Sequence, residues 1–227
     1  MVRGMGLHRE WKVESGLPVQ RDPTAIVVKV DPAVDSFLRS VSGDVVAMDY
    51  KKLRNLQHVR RFNFHHCNHY QSVAEHSYFT AMLTIAIMEA MGWGTEARML
   101  GVGLALLHDA SEAVTGDVPF LVKRKLGKVA EDLDKEAFKE LGLMDPMVGM
   151  ESGIQEAVDL ADKLEAKLYL QEERRSGNTV LARIEKEIWT LIMHHSMLAQ
   201  RPQILDLMGR LGIEMVERAE LPEEMSH

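Results

Sequence analysis

Apolar residues recur at helical spacing from about residue 49 to the end of this 227-residue chain, and that periodicity restricts it to an all-α architecture. The clearest start signal is Ser72-Val-Ala-Glu75, a capping box ahead of an apolar run. It predicts a helix from about Val73 to Met91, stopped by Gly92 and Gly94. Thr95 can cap a second helix, which runs through GVGLALLHDASEAV to about Val114, with Gly116 as its stop. A charged amphipathic helix fits about Val122 to Leu141, and Asp145-Pro146 marks a break. Further helices fit about Gly153 to Arg175, Thr179 to Met197 and Pro202 to Arg218. Residues 1–48 read differently: Pro18, Pro23, Pro32 and scattered Gly surround one β-like run, Thr24 to Val30. The expectation is an irregular N-terminal arm over 1–48, with at most one short strand, followed by a helical domain over 49–227.

Composition narrows the function classes. A net charge of −7 argues against a general nucleic-acid binder, which needs a basic face. It leaves a nucleotide enzyme open, where a few local cations and a metal can handle phosphate charge. With Cys67 as the single cysteine, no internal disulfide can form, which fits a reducing, cytoplasmic setting. The segment MVRGMGLHREW lacks the apolar core of a signal peptide, and the best membrane candidate, Ala81 to Met91, is too short and carries Glu89.

His108-Asp109 is the residue pair with the most chemical content. Alone it carries little weight: 10 His and 13 Asp make such an adjacency by chance about an even bet. Context changes that. The pair follows Gly101-Val-Gly-Leu-Ala-Leu-Leu107, apolar on every face and so expected to be buried. Polar groups at the end of a buried segment need partners. Either backbone and a neighbouring Arg satisfy them, or they ligate a metal. Three features favour the metal. His76 sits in the first turn of a helix with an apolar later face. Asp162 has apolar helical neighbours in Val158, Ala161, Leu164 and Ala166, whereas Asp159 belongs to the polar face. Glu112 stands four residues after His108, one turn on along the expected helix, where it could hold or deprotonate a water. Two imidazoles and two carboxylates suit a borderline or hard divalent ion with open water positions.

The segments VAEHS (73–77), HDASEAVTGDVP (108–119) and LADKLEAKL (160–168), with Arg60-Arg61-Phe62-Asn63 ahead of them, resemble the HD-domain phosphohydrolases, and within these the bacterial and phage 5′-deoxynucleotidase group. The likeness covers about residues 50 to 175, with four separated segments in the right order. It implies an all-helical HD core that assembles as a homo-oligomer, a dimer or larger. It implies that His76, His108, Asp109 and Asp162 ligate one divalent metal, which could be Co, Mn, Zn, Fe or Mg. Glu112 and Asp117 would act on the attacking water and the leaving group, Arg61 would contact phosphate, and Lys123 would reach it. Phe62 stands where the best-known relatives have Trp, which puts a preference for 2′-deoxy substrates in question. The first 45 or so residues have no counterpart in the likeness.

The remaining motifs have plainer readings. His65-His66-Cys67-Asn68-His69 fits no closed zinc pattern and reads as a loop near a site entrance, with His66 as the residue that meets substrate. His194-His195 reads as structural, and the basic run beyond Lys123 as a solvated helix face. Phe62 and Tyr70 could stack on a base or simply pack. The expected function is hydrolysis of a (deoxy)nucleotide phosphate, first as a 5′-nucleotidase on monophosphates. Its rivals are triphosphohydrolysis of substrates such as dATP and, less supported, a non-enzymatic HD binding module. No nucleic acid or membrane partner is expected.

Overall fold

The computed structural model describes residues 48–214. The arm expected over 1–48, with its β-like run at Thr24–Val30, lies outside the described residues apart from Met48, and the last helix, expected to reach Arg218, stops at Arg210 ahead of Gly212, whose φ is +68°. The described residues form helices without a sheet, and one isolated bridge pairs Arg60 with Ser72. In chain order the α-helices are α1 (Tyr50–Leu53), α2 (Val73–Ala90), α3 (Thr95–Leu107), α4 (Glu112–Thr115), α5 (Phe120–Leu126), α6 (Lys128–Glu140), α7 (Ser152–Arg175), α8 (Ala182–His195) and α9 (Pro202–Arg210). Among the described residues no helix is long and apolar enough to cross a membrane.

The capping box forms as the residue pattern requires. Ser72 Oγ accepts from the Glu75 amide at 3.2 Å, and Glu75 Oε2 accepts from the Ser72 amide at 2.8 Å. This fixes the register of α2, so His76, Thr80, Leu83, Thr84 and Ile87 all fall on its buried side. Helix α2 packs against α3 and α7, and α7 packs also against α8. Leu104, Leu160, Leu164 and Ile192 are completely buried in the shared core. A smaller cluster around Val73, Phe138 and Leu141 seats α6 beneath the start of α2.

Three further expectations change. The helix predicted to run through Val114 ends at Leu107, because the backbone ladder tightens to three-residue spacing: Ala110 N–H bonds Leu107 O and Glu112 N–H bonds Asp109 O, each at 3.0 Å. Glu112 therefore opens a new short helix instead of continuing the one behind His108. The charged helix predicted over 122–141 is split into α5 and α6 by Gly127, whose φ of +50° no helix accommodates. The helix predicted from Thr179 begins at Ala182.

Helices α2 and α3 approach closely at Gly101. A Cβ there would lie 2.6 Å from Met88 Cε, 2.7 Å from Met88 Sδ and 3.0 Å from Thr84 Cγ2. Gly101→Val should therefore lower stability by about 1–3 kcal/mol through overpacking, despite valine's better helix propensity. Chemical denaturation measures this, and a variant as stable as wild type would contradict the close approach.

Candidate active site

The site gathers where the first turn of α2, the end of α3 and the middle of α7 meet. His76 is fully buried, with Nε2 at 3.0 Å from Asp162 Oδ1 and 3.7 Å from Asp109 Oδ2. His108 lies in the turn after α3, and its Nδ1–H donates to Ala105 O at 2.7 Å. That bond leaves its Nε2 facing inward. The atom is buried without a hydrogen bond and touches Asp109 Oδ2 at 3.2 Å as an ion-pair contact. The two imidazole rings stand 5.4 Å apart.

Among the described residues, His76, His108 and Asp162 bring ligand atoms within 4.8 Å of one another. Two ring nitrogens and a carboxylate oxygen, with one nitrogen buried and otherwise unsatisfied, fit a divalent ion. Asp109 lies outside this compact set, its carboxylate drawn against both imidazoles. Asp159, one turn before, faces out and pairs closely with Lys163.

Charge at the site is strongly coupled. Burial disfavours a charged His108, yet the Asp109 and Asp162 carboxylates prevail and lift it to about 9. Burial likewise opposes charge on Asp109 and Asp162, but His108, His76 and Arg61 hold both carboxyls well below the usual range. Burial, helped by the Asp109 and Asp117 charges, pushes Glu112 up to about 8 against the pull of Lys123. Burial also raises Asp117, against the nearby Arg61 guanidinium. Glu112 Oε1 accepts from Lys123 Nζ at 3.1 Å, while its buried Oε2 has no partner. Lys123, expected to reach phosphate, is thus engaged with Glu112 here.

Beside these groups opens a cleft of about 330 Å³. Arg61, Phe62, Asp117 and Asp162 line its site end, and Ile184, Ile188 and Leu191 of α8 form an apolar wall. Backbone pairing of Arg61 N–H with Gln71 O (3.0 Å) and Val73 N–H with Val59 O (2.9 Å) closes the base of the loop that carries Arg61 and Phe62. Phe62 adopts a φ of +52°, strained for a residue with a Cβ. Its ring stacks on Tyr169 at 5.4 Å and 6°, and Asn63 Nδ2 donates to Asp117 O at 3.0 Å. The strained turn is thereby tied to α7 through Tyr169 and to the segment carrying Asp117.

One expected substrate contact, His66, sits away from the cleft lining. His65 lines the cleft, whereas His66 is exposed and offers its carbonyl to Asn178 Nδ2 at 2.8 Å. Tyr70 sits under Arg60, 4.3 Å from its guanidinium carbon. The reason is that Glu173 grips the loop, accepting from the Asn68 amide at 2.7 Å and the His69 amide at 2.8 Å, and Cys67 is buried between. This pinning has no periodic signal in the sequence. Glu165 is a further site residue that the sequence motifs do not single out. It is buried and accepts from His76 Nδ1 at 2.5 Å. Its position three residues after Asp162, amid apolar neighbours, was the available clue.

Comparison with known proteins places this geometry. The 5′-deoxynucleotidase YfbR-like family model matches residues 50–202. The 5′-deoxynucleotidase of Shewanella oneidensis is 31% identical over 144 residues, covering 54% of this chain and 72% of that protein. A Pyrococcus horikoshii protein of solved structure aligns with a TM-score of 0.58 and 21% identity, over 71% of this chain and 95% of the other. The cyanophage S-2L HD phosphohydrolase DatZ, solved with dA and one catalytic Zn²⁺ ion, aligns with a TM-score of 0.54 and 19% identity, over 72% and 94%. An HD-domain phosphohydrolase of Listeria innocua gives a TM-score of 0.51 at 18% identity, over 73% and 95%. These structures share the helical HD fold with this chain, and the family match extends through every segment that builds the site: the chain belongs to the 5′-deoxynucleotidase YfbR-like family.

Proposed function

We propose that this chain is a metal-dependent 5′-nucleotidase that hydrolyses (deoxy)nucleoside monophosphates. The observation that carries the reading is the buried, unsatisfied His108 Nε2 beside His76 and Asp162, opening onto a nucleotide-sized cleft with an apolar wall. His76, His108 and Asp162 would hold the ion, with Asp109 alongside. When bound, it supplies charge neutralisation at a phosphoryl oxygen and acidifies a water. In its ionised form, which Lys123 favours against a carboxyl pushed up to about 8, Glu112 orients the attacking water and takes its proton at the free Oε2. Water oxygen attacks phosphorus as the P–O5′ bond breaks, and Asp117, on the lining of the cleft, is the group placed to pass a proton to the departing 5′-oxygen. Arg61 turns one nitrogen from Asp162, a loose 3.7 Å pair, to the phosphate. Phe62 and the α8 wall take the nucleoside.

The charges of the cleft favour a monophosphate. Its lining cations are Arg61 and Lys163, against the carboxylates Asp117, Asp159, Asp162 and Glu187. Arg61 is already paired with Asp162 and Glu165, and Lys163 with Asp159. A triphosphate would bring further negative charge to a cleft whose lining, among the described residues, offers no surplus cation for it. The family also suggests a cytoplasmic homo-oligomer. Tyr78, Phe79 and Met82 of α2 and Met99 and Leu106 of α3 supply exposed apolar surface for self-association.

Two measurements test the reading. Metal-free protein reloaded with Mn²⁺, Co²⁺ or Zn²⁺ should release inorganic phosphate from deoxynucleoside monophosphates; release of triphosphate from dNTPs instead would overturn it. In the same assay Glu112→Ala should keep its metal and lose turnover about 10²–10⁴-fold, while Asp162→Ala should lose the metal. The second concerns pH. His108, lifted to about 9, must shed its proton before Nε2 can ligate. Metal binding near neutrality should therefore release protons, and apparent affinity should rise with pH up to about 9. Calorimetric titration in buffers of different ionisation enthalpy reads both, and a pH-independent affinity would contradict the assignment of His108.

A further inference from the structure

The two imidazoles of the site present their Nε2 atoms inward for the same reason, with different acceptors behind them. For an imidazole to ligate, one nitrogen must offer its lone pair and the other must carry the proton. On His108 the backbone carbonyl of Ala105 accepts from Nδ1 at 2.7 Å. On His76 no carbonyl of the described residues is in that position. Glu165 Oε2 stands 2.5 Å from Nδ1 instead, and a carboxylate there holds the proton on Nδ1.

Glu165 is itself fixed on every side. It is buried, Gln71 Nε2 donates to its Oε1 at 2.6 Å, and Arg61 Nη1 donates to its Oε2 at 3.2 Å. Arg61 Nη1 and His76 Nδ1 are only 2.7 Å apart. Arg61 and Glu165 therefore compete for that nitrogen: Arg61 can donate to it only when Nδ1 is bare, whereas the Glu165 carboxylate, at the shorter 2.5 Å, accepts only from Nδ1–H. One turn of α7 thus supplies Asp162 toward the ion and Glu165 behind the imidazole.

We propose that Glu165 is a positioning residue that fixes the Nδ1–H form of His76, and so sets the affinity of the site for its divalent ion. This rests on the reading of His76 as a ligand. Glu165→Gln tests it, because the fold can absorb the change: Gln71 Oε1 is buried without a partner, so its amide can turn over to accept from the new side chain. The expected result is a metal-free protein that still unfolds cooperatively, with Zn²⁺ affinity weakened about 10–100-fold. Wild-type Zn²⁺ affinity in Glu165→Gln would overturn the proposal. Nitrogen-15 spectra of Zn²⁺-loaded wild-type protein give an answer independent of how the variant folds. A protonated Nδ1 and coordinated Nε2 on the His76 ring are expected, and coordination through Nδ1 would overturn it. Failure of the underlying reading has its own signature, a wild-type chain that takes up no Zn²⁺, which overturns both.

Discussion

Ionised side chains inside a helical bundle persist only where each finds a counter-charge or a donor. The cluster of Arg61, His76, Asp162 and Glu165 meets that condition at the crossing of α2 and α7, and the rest of the site is arranged around it. The fully buried His76 touches Asp162 through one nitrogen and Glu165 through the other. Arg61 spans both carboxylates from the loop ahead of α2. Removal of one member strands another, so the cluster holds the loop, the two helices and the ligand geometry in a common register.

Helix α7 is the spine of this arrangement. Over successive turns its inward side carries Asp162 and Glu165 to the site, Tyr169 to the stack under Phe62, and Glu173 to the backbone of residues 68 and 69. The strain in Phe62 is maintained by that support. Deeper along α7, Lys167 is buried against Glu185 at 2.5 Å, so α8, which walls the cleft, is also held by an ion pair from the same helix. The cleft is in this way bounded by elements that answer to one helix, which keeps its wall and its reactive end in fixed relation.

Local patterns made part of this legible in the sequence. The capping box at Ser72 set the phase of α2, and with it the inward placement of His76, since four residues of backbone decide that register. The 3.6-residue period separated Asp162 from Asp159 in the same way. What stayed hidden depends on tertiary contacts. The helix behind His108 ends early because the chain turns to bring Asp109 and Glu112 against neighbours distant in sequence. The choice of His65 over His66 follows from Glu173, about a hundred residues on, gripping the loop. Glu165 was hidden for a different reason: a glutamate in a long charged helix is usually at the solvated face, and only its three-residue spacing from Asp162 set it apart.

The central claim is that His76, His108 and Asp162 form one metal centre at the floor of the cleft. Anomalous scattering from crystals of the Zn²⁺- or Co²⁺-loaded protein tests it most directly. The account predicts one strong peak about 2.0–2.2 Å from His76 Nε2, His108 Nε2 and a carboxylate oxygen of Asp162. A metal-loaded crystal with no peak there, or with its peak at the His65–His69 loop, would contradict it.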